Sequence, residues 1–194
     1  MSDDHSANAG AQAKAEPAIY GPVARAAHWI TIILIAAEFT VGWCMPEIEW
    51  GTEPTGLIGL HLALGSSLVI VIAFRLVWRL THPAPPPLAG LPSWQRLSAG
   101  ITHIALYALL LIVTASGWAA ASARQWPVHA FGFIPLPAIV APEAKIGFEL
   151  GDLHADILSW VLLGVIGLHI LAALYHRFIK HDATMKRMFP SMGP

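Results

Sequence analysis

Residues 153–178 read LHADILSWVLLGVIGLHILAALYHRF. Between Asp156 and Arg177 lie twenty residues with no Asp, Glu, Lys or Arg, and about twenty apolar residues suffice to cross a bilayer core. The stretch therefore predicts a membrane helix, although it carries His154, His169 and His176. Ionisable groups are costly in a bilayer, so each histidine there is a functional candidate. His154 and His169 are fifteen residues apart, roughly 22 Å along a helix axis. At about 100° per residue the two rings differ by about 60° around the helix, close enough to face one bundle interior.

Three more apolar runs accompany this one, at about 26–45, 57–80 and 97–121, with the fourth at 153–178. Of the 194 residues 56% are hydrophobic and only 12% charged, with a mean hydropathy of +0.60, which excludes an ordinary soluble domain. The expected fold is all-α, an integral membrane four-helix bundle over 25–190 behind a disordered tail at 1–24. No signal for nucleic-acid binding, no repeat, no strand alternation and no phosphate-cradling glycine loop is present. The tail carries Asp3, Asp4 and Glu16 before the first apolar run, unlike a cleavable secretory signal.

Basic residues mark the cytoplasmic flanks of membrane helices. Lys14, Arg25, Arg75, Arg79, Arg96, Arg177, Lys180, Lys186 and Arg187 fall on the side of the termini and the loop between spans two and three. Only Arg124 and Lys145 lie opposite. Both termini are expected to be cytoplasmic. The Pro-rich loop at 81–87 reads as a stiff helix stop. The long outer segment at 122–151, with Pro127, Pro135, Pro137 and Pro142, is expected to lie on the outer surface with a short interfacial helix. Tryptophans 29, 43, 50, 78, 94, 118 and 126 cluster near the span ends, as an aromatic belt does.

His28 opens span one at the inner end and His61 lies near the outer end of span two, so the depths match those of His169 and His154. Two bis-histidine sites are expected, His28 with His169 and His61 with His154, each suited to a haem. Cys44 is the sole cysteine, which excludes a thioether-linked haem and leaves non-covalent haem b. His103 is a competing inner ligand. His103, His176 and Arg75 are also candidates for contacts to haem propionates or a quinone headgroup. A histidine proton relay is the rival use of such residues, but it needs buried carboxylates, and Glu38 is the only one well inside spans one to three. His5, His82, His129 and His181 read as solvated.

The chain resembles the bacterial cytochrome b561 proteins, di-haem four-helix membrane cytochromes of about this length. The resemblance rests on Arg25-Ala26-Ala27-His28-Trp29, Gly59-Leu60-His61, Arg75-Leu76-Val77-Trp78-Arg79-Leu80 and the Pro-rich loop. It continues through His103 with Leu106-Tyr107, Leu168-His169, and Ala172-Ala173-Leu174-Tyr175-His176 to Asp182, Arg187 and Met188. It implies the bacterial inner membrane, haem ligation by His28, His61, His154 and His169, a membrane quinone as one partner and, in part of the family, superoxide as electron donor at the outer face. The expected activity is superoxide:ubiquinone oxidoreduction. The alternatives are a subunit relaying electrons between quinone and another redox protein, and a haem-free histidine-containing transporter or structural protein.

One spacing departs from the family pattern, in which the two span-four ligands are fourteen residues apart. The fifteenth residue turns one ring by about 100° unless a local π-bulge or a tilted haem absorbs it. On the outer side Glu47, Glu49, Glu53, Glu143, Glu149 and Asp152 outnumber the two cations. An anionic donor would therefore need Arg124 and Lys145 as a local basic funnel.

Overall fold

The computed structural model describes residues 18–88 and 90–189, so the expected tail lies outside the described residues as far as position 17. Helix α1 spans Pro22–Cys44, α2 Gly56–Thr81 and α3 Ser93–Ala123. Proline punctuates them all. Pro22 stands in the first turn of α1, where no amide donor is needed. Pro46 follows the end of α1, Pro83 follows α2, and Pro92 precedes α3. The fourth span is Lys145–Phe178, 34 residues long. It consists of α4 (Lys145–Leu153), a π-helical turn (His154–Leu158) and α5 (Ser159–Phe178).

Four long apolar helices thus form the bundle, and between 6% and 28% of each apolar window is buried. Ile33, Ile104 and Leu171 point outward at 65%, 72% and 65% exposure. Water would penalise that surface, whereas lipid solvates it, so the helices need not bury it against one another. Leu68 and Ile72 of α2, Leu110 and Val113 of α3 and Leu162 of α5 make the central core. Leu34, Ile35 and Phe39 of α1 pack around it. α1 packs on α2, α2 on α3, and α3 on α4 and α5, while α1 and α5 hardly touch. At about 1.5 Å per residue the fourth span is roughly 51 Å long, well beyond a hydrocarbon core of about 30 Å. Its first turns are clamped to α3 at Gly147, where an added Cβ would meet Ala123 and come within 2.9 Å of the Ala119 carbonyl.

Segment 122–151, read from the sequence as a surface stretch with a short helix, holds more structure than that. It contains a short hairpin, β1 (Val128–Ala130) antiparallel to β2 (Ile134–Leu136), packed along α2. Its tip reaches inward, with the Phe131 amide donating to Ser67 Oγ at 2.7 Å. Ser67 lies eleven residues into α2, roughly 16 Å from the helix start. Non-helical backbone survives at such depth only if its polar groups are satisfied. Here Gly132 and Phe133 donate to His129 and Ala130, and strand pairing holds the flanks. Phe131 and Gly132 both adopt positive φ, 54° and 79°, as primed hairpin turns require. Such a short hairpin carries no alternation signal, and Pro135 in the second strand argues against a strand.

At the other end the C-terminal segment folds back over the bundle. Arg187 donates to the carbonyls of Ala18, Pro85 and Pro86 at 3.1, 2.8 and 2.7 Å, and its guanidinium lies over the Tyr20 ring. The Pro-rich loop thus serves as acceptor for this staple as well as helix stop. Both terminal segments and that loop occupy one end of the molecule.

Candidate functional site

The histidines divide into two groups at opposite ends of the apolar core. At the hairpin end, the outer one on the expectation from the basic residues, His61 of α2 and His154 of the fourth span bring their ring centroids within 6.0 Å. His154 Nδ1 donates to the Val113 carbonyl at 2.8 Å. That bond places the ring proton on Nδ1 and leaves the Nε2 lone pair free, the arrangement of a metal-ligating histidine. Behind His61, Glu38 Oε2 approaches Nδ1 to 2.6 Å. The distance is that of a hydrogen bond, but the N–H alignment is poor, and both atoms are buried without another bonded partner.

Glycines front both rings. A Cβ on Gly42 of α1 would sit 3.7 Å from His61 Cε1, in ordinary contact. On Gly117 of α3 it would stand 3.1 to 3.2 Å from His154 Cε1 and Nδ1, so the ring would have to give way. Gly117→Ala is expected to displace His154, cost about 1–3 kcal/mol through overpacking and perturb the outer site alone. Thermal unfolding and the ferric low-spin spectrum are the measurements; an unaltered spectrum with wild-type stability would refute the tight contact.

His154 opens the π-helical turn. The fifteen-residue interval is thereby accommodated, because the wide turn takes up the extra residue and the interval behaves as roughly fourteen residues of regular helix. His154 accordingly meets Val113, Ser116 and Gly117 of α3, and His169 meets His103 of the same helix.

At the inner end the rings of His103 and His169 are 5.3 Å apart, and His28 of α1 lies within electrostatic reach of both and of Arg75. His103 Nδ1 donates to Ala99 O at 2.6 Å, leaving its Nε2 free. Arg75 Nη2 lies 3.3 Å from His28 Nδ1. A guanidinium only donates, so His28 accepts at Nδ1 and carries its proton on Nε2. Arg75 also lies over the Tyr107 ring at 5.4 Å and, among the described residues, has no carboxylate partner. A cation so placed fits an anionic group such as a haem propionate. The sparse contact between α1 and α5 leaves room for a flat cofactor, and at the outer end both rings have their Nδ1 occupied, by the Val113 carbonyl and by Glu38. The residues present therefore fit haem. Among the described residues no three His, Cys, Asp or Glu side chains converge as a chelating set.

A sequence profile of the prokaryotic cytochrome b561 family matches residues 19–191. The chain belongs to that family. It is similar to cytochrome b561 homolog 2 of Escherichia coli, 32% identical over 89% of this chain and 92% of the relative. It is also similar to cytochrome b561 homolog 1 of the same organism, 28% identical over 84% and 92%. A probable superoxide oxidase, CybB of Yersinia pestis, is 26% identical over 84% of the chain and 91% of its own length. With four membrane-crossing helices, this cytochrome is a multi-pass protein of the bacterial inner membrane.

The other candidates have their own partners in this cytochrome. His176 Nδ1 contacts Asp182 at 2.5 Å, and Thr184 caps the same carboxylate. Burial tends to raise the Asp182 carboxyl, but bonds from Thr184 and His176 outweigh it and hold it below its ordinary value. His176 thus anchors the folded-back C-terminal segment. Arg124 lies over the rings of Trp126 and Phe148 at 5.4 and 5.1 Å. Lys145, one turn before Phe148, pairs with Glu149 at 2.8 Å. The two cations flank the same stretch of α4, but Glu149 offsets part of their charge. A cleft of about 260 Å³ lined by Trp118, Trp126, Pro127 and Pro137 among others includes neither cation and none of the histidines. Sequence reasoning missed the Glu38 contact and the Gly117 cradle. A lone carboxylate inside span one was the visible signal for the first, while the second depends on helix register.

Proposed function

We propose that this cytochrome carries electrons between the two faces of the membrane through two b haems, held by His61 with His154 and by His28 with His169, from superoxide to a membrane quinone. The observation that carries the reading is the division of its membrane histidines into groups at the two ends of one helix, fifteen residues apart. Haem bound between two imidazoles supplies one-electron exchange with no open coordination position, which disfavours oxygen activation. The chain supplies the rest. Val113 and Glu38 orient the outer rings, the Leu68–Ile72–Leu110–Val113–Leu162 core excludes water between the two groups, and Arg75 neutralises a propionate. Were His28 to hold the haem through Nε2, its ring proton would sit on Nδ1 and Arg75 would be free to pair with that anion. The ring contact between His103 and His169 favours a second assignment, in which His103 replaces His28.

The donor and the direction follow from charge and family. Nine of the eleven basic residues lie on the side of the termini, which supports cytoplasmic termini and an outer His61–His154 site. Oxidation of two superoxide anions yields two O₂ and two electrons, and reduction of quinone consumes those electrons with two protons. The likeness to a probable superoxide oxidase supports superoxide as donor. A relay subunit fed by another redox protein remains the competing use of the same centre.

Salt dependence tests the donor. With Arg124 and Lys145 acting as a basic funnel, added salt slows haem reduction by superoxide, because screening weakens their field within about 10 Å at 0.1 M. Replacing both by Gln is expected to lower the second-order rate and flatten that dependence, while reduction by an uncharged quinol barely changes. Acceleration by salt in the unmodified protein, measured by stopped flow, would reject both the funnel and superoxide.

A further inference from the structure

We propose that Glu38 is a positioning residue for the outer redox centre: through His61 it lowers the reduction potential of that centre, favouring electron flow from the outer end toward the inner. The proposal rests on the reading that His61 is a haem ligand. Glu38 is the seventeenth residue of α1, roughly 25 Å from the helix start, and its side chain is only 11% exposed. A carboxylate at membrane depth is costly unless it has a partner. Glu38 Oε2 lies 2.6 Å from His61 Nδ1, and neither atom bonds to anything else among the described residues. A small turn of the imidazole aligns the pair, and a ring held at Nε2 carries its proton on Nδ1, facing that oxygen.

The space for this contact is built into α2. A Cβ on Gly65, one helical turn from His61, would stand 2.6 Å from Glu38 Oε1. A side chain there would push the carboxylate away from its place beside the ring. The other rings are backed differently. His154 and His103 donate to the neutral carbonyls of Val113 and Ala99, and His28 faces the Arg75 guanidinium.

A carboxylate therefore backs one ring at the outer end, and among the described residues none pairs with His28, His103 or His169 at the inner. An anion accepting the Nδ1 proton makes Nε2 a stronger donor and tunes the metal. It also stabilises the ferric state, which carries one more positive charge than the ferrous, and it does so in a medium of low dielectric. Each reduction takes one electron. Glu38 holds the outer centre toward the ferric form.

The test is a potentiometric titration of the purified holoprotein, followed in the reduced α-band, with haem content checked by pyridine haemochromogen. Glu38→Gln keeps an acceptor without charge, Glu38→Leu removes both, and Glu38→Asp keeps the charge. In Glu38→Gln the ferrous-to-ferric ratio of one centre, poised at its wild-type midpoint, is expected to rise at least tenfold, or about 59 mV for a one-electron couple. Glu38→Leu should shift it as far or further, Glu38→Asp least, and the other centre should not move. The ferric low-spin signal of the same centre should change with it. Unchanged potentials in both Gln and Leu variants, or equal shifts of both centres, would overturn the proposal. The ligand reading fails separately: His61→Ala with both haems retained rejects it, whereas His61→Ala losing one haem beside unshifted Glu38 variants rejects the Glu38 role alone.

Discussion

Alanine at His61 or at His154 is expected to remove one haem and spare the other, whereas alanine at His28 or His169 removes the spared one. Each substitution takes haem content from two per chain to one, because a single remaining imidazole binds the iron far more weakly than a pair. The outer pair shares one end of the bundle, with rings 6.0 Å apart, and the core of Leu68, Ile72, Leu110, Val113 and Leu162 lies between it and the inner group. That separation makes the two losses independent. His103→Ala decides the inner assignment: retention of both haems supports His28 with His169, and loss of one haem while His28→Ala keeps both transfers the ligand role to His103. Haemochromogen stoichiometry on detergent-purified protein, with the reduced spectrum showing which component is missing, is the measurement.

Deleting Ile157 should leave both haems in place, while inserting one alanine after Leu163 should cost the outer one. The contrast follows from the π-helical turn at His154–Leu158. A fifteen-residue interval in regular helix would swing one ring by about 100° relative to a fourteen-residue one, and the wide turn absorbs that residue. Deletion within the turn returns the chain to regular helix with His154 still facing Val113 and Gly117. Insertion demands a second distortion that no side chain supports, so His154 leaves the Val113 carbonyl and its face of α3. Haem content and the ferric low-spin signal report the result. Loss of the outer haem on deletion of Ile157 would show that the π turn is needed for itself and not as compensation.

The C-terminal staple illustrates a middle case. Arg187 and the Pro-rich loop were both conspicuous in the chain, yet nothing in their spacing joined them. They meet because Pro85 and Pro86 leave carbonyls without competing helical donors, and a guanidinium offers several donors in a fixed fork. His176 shows the same limit. Its place on the face of His169 suggested a propionate or quinone contact, whereas the fold-back of Asp182 gives its Nδ1 a carboxylate six residues away.

The four spans, their proline stops and the membrane histidines were determined by sequence alone, since transfer of apolar side chains to lipid is additive along a run and independent of what the helix later packs against. The family followed from the ordered set of His, Arg and Pro positions. The tertiary structure decided which groups face one another. The π turn restores the register of His154, Gly65 opens the notch for Glu38, and Gly117 fits against an imidazole. Burying Phe131–Gly132 along α2 required the Ser67 hydroxyl at a matching depth. Each of these depends on helix rotation and on contacts between residues tens of positions apart, and such contacts leave no periodicity in the chain itself.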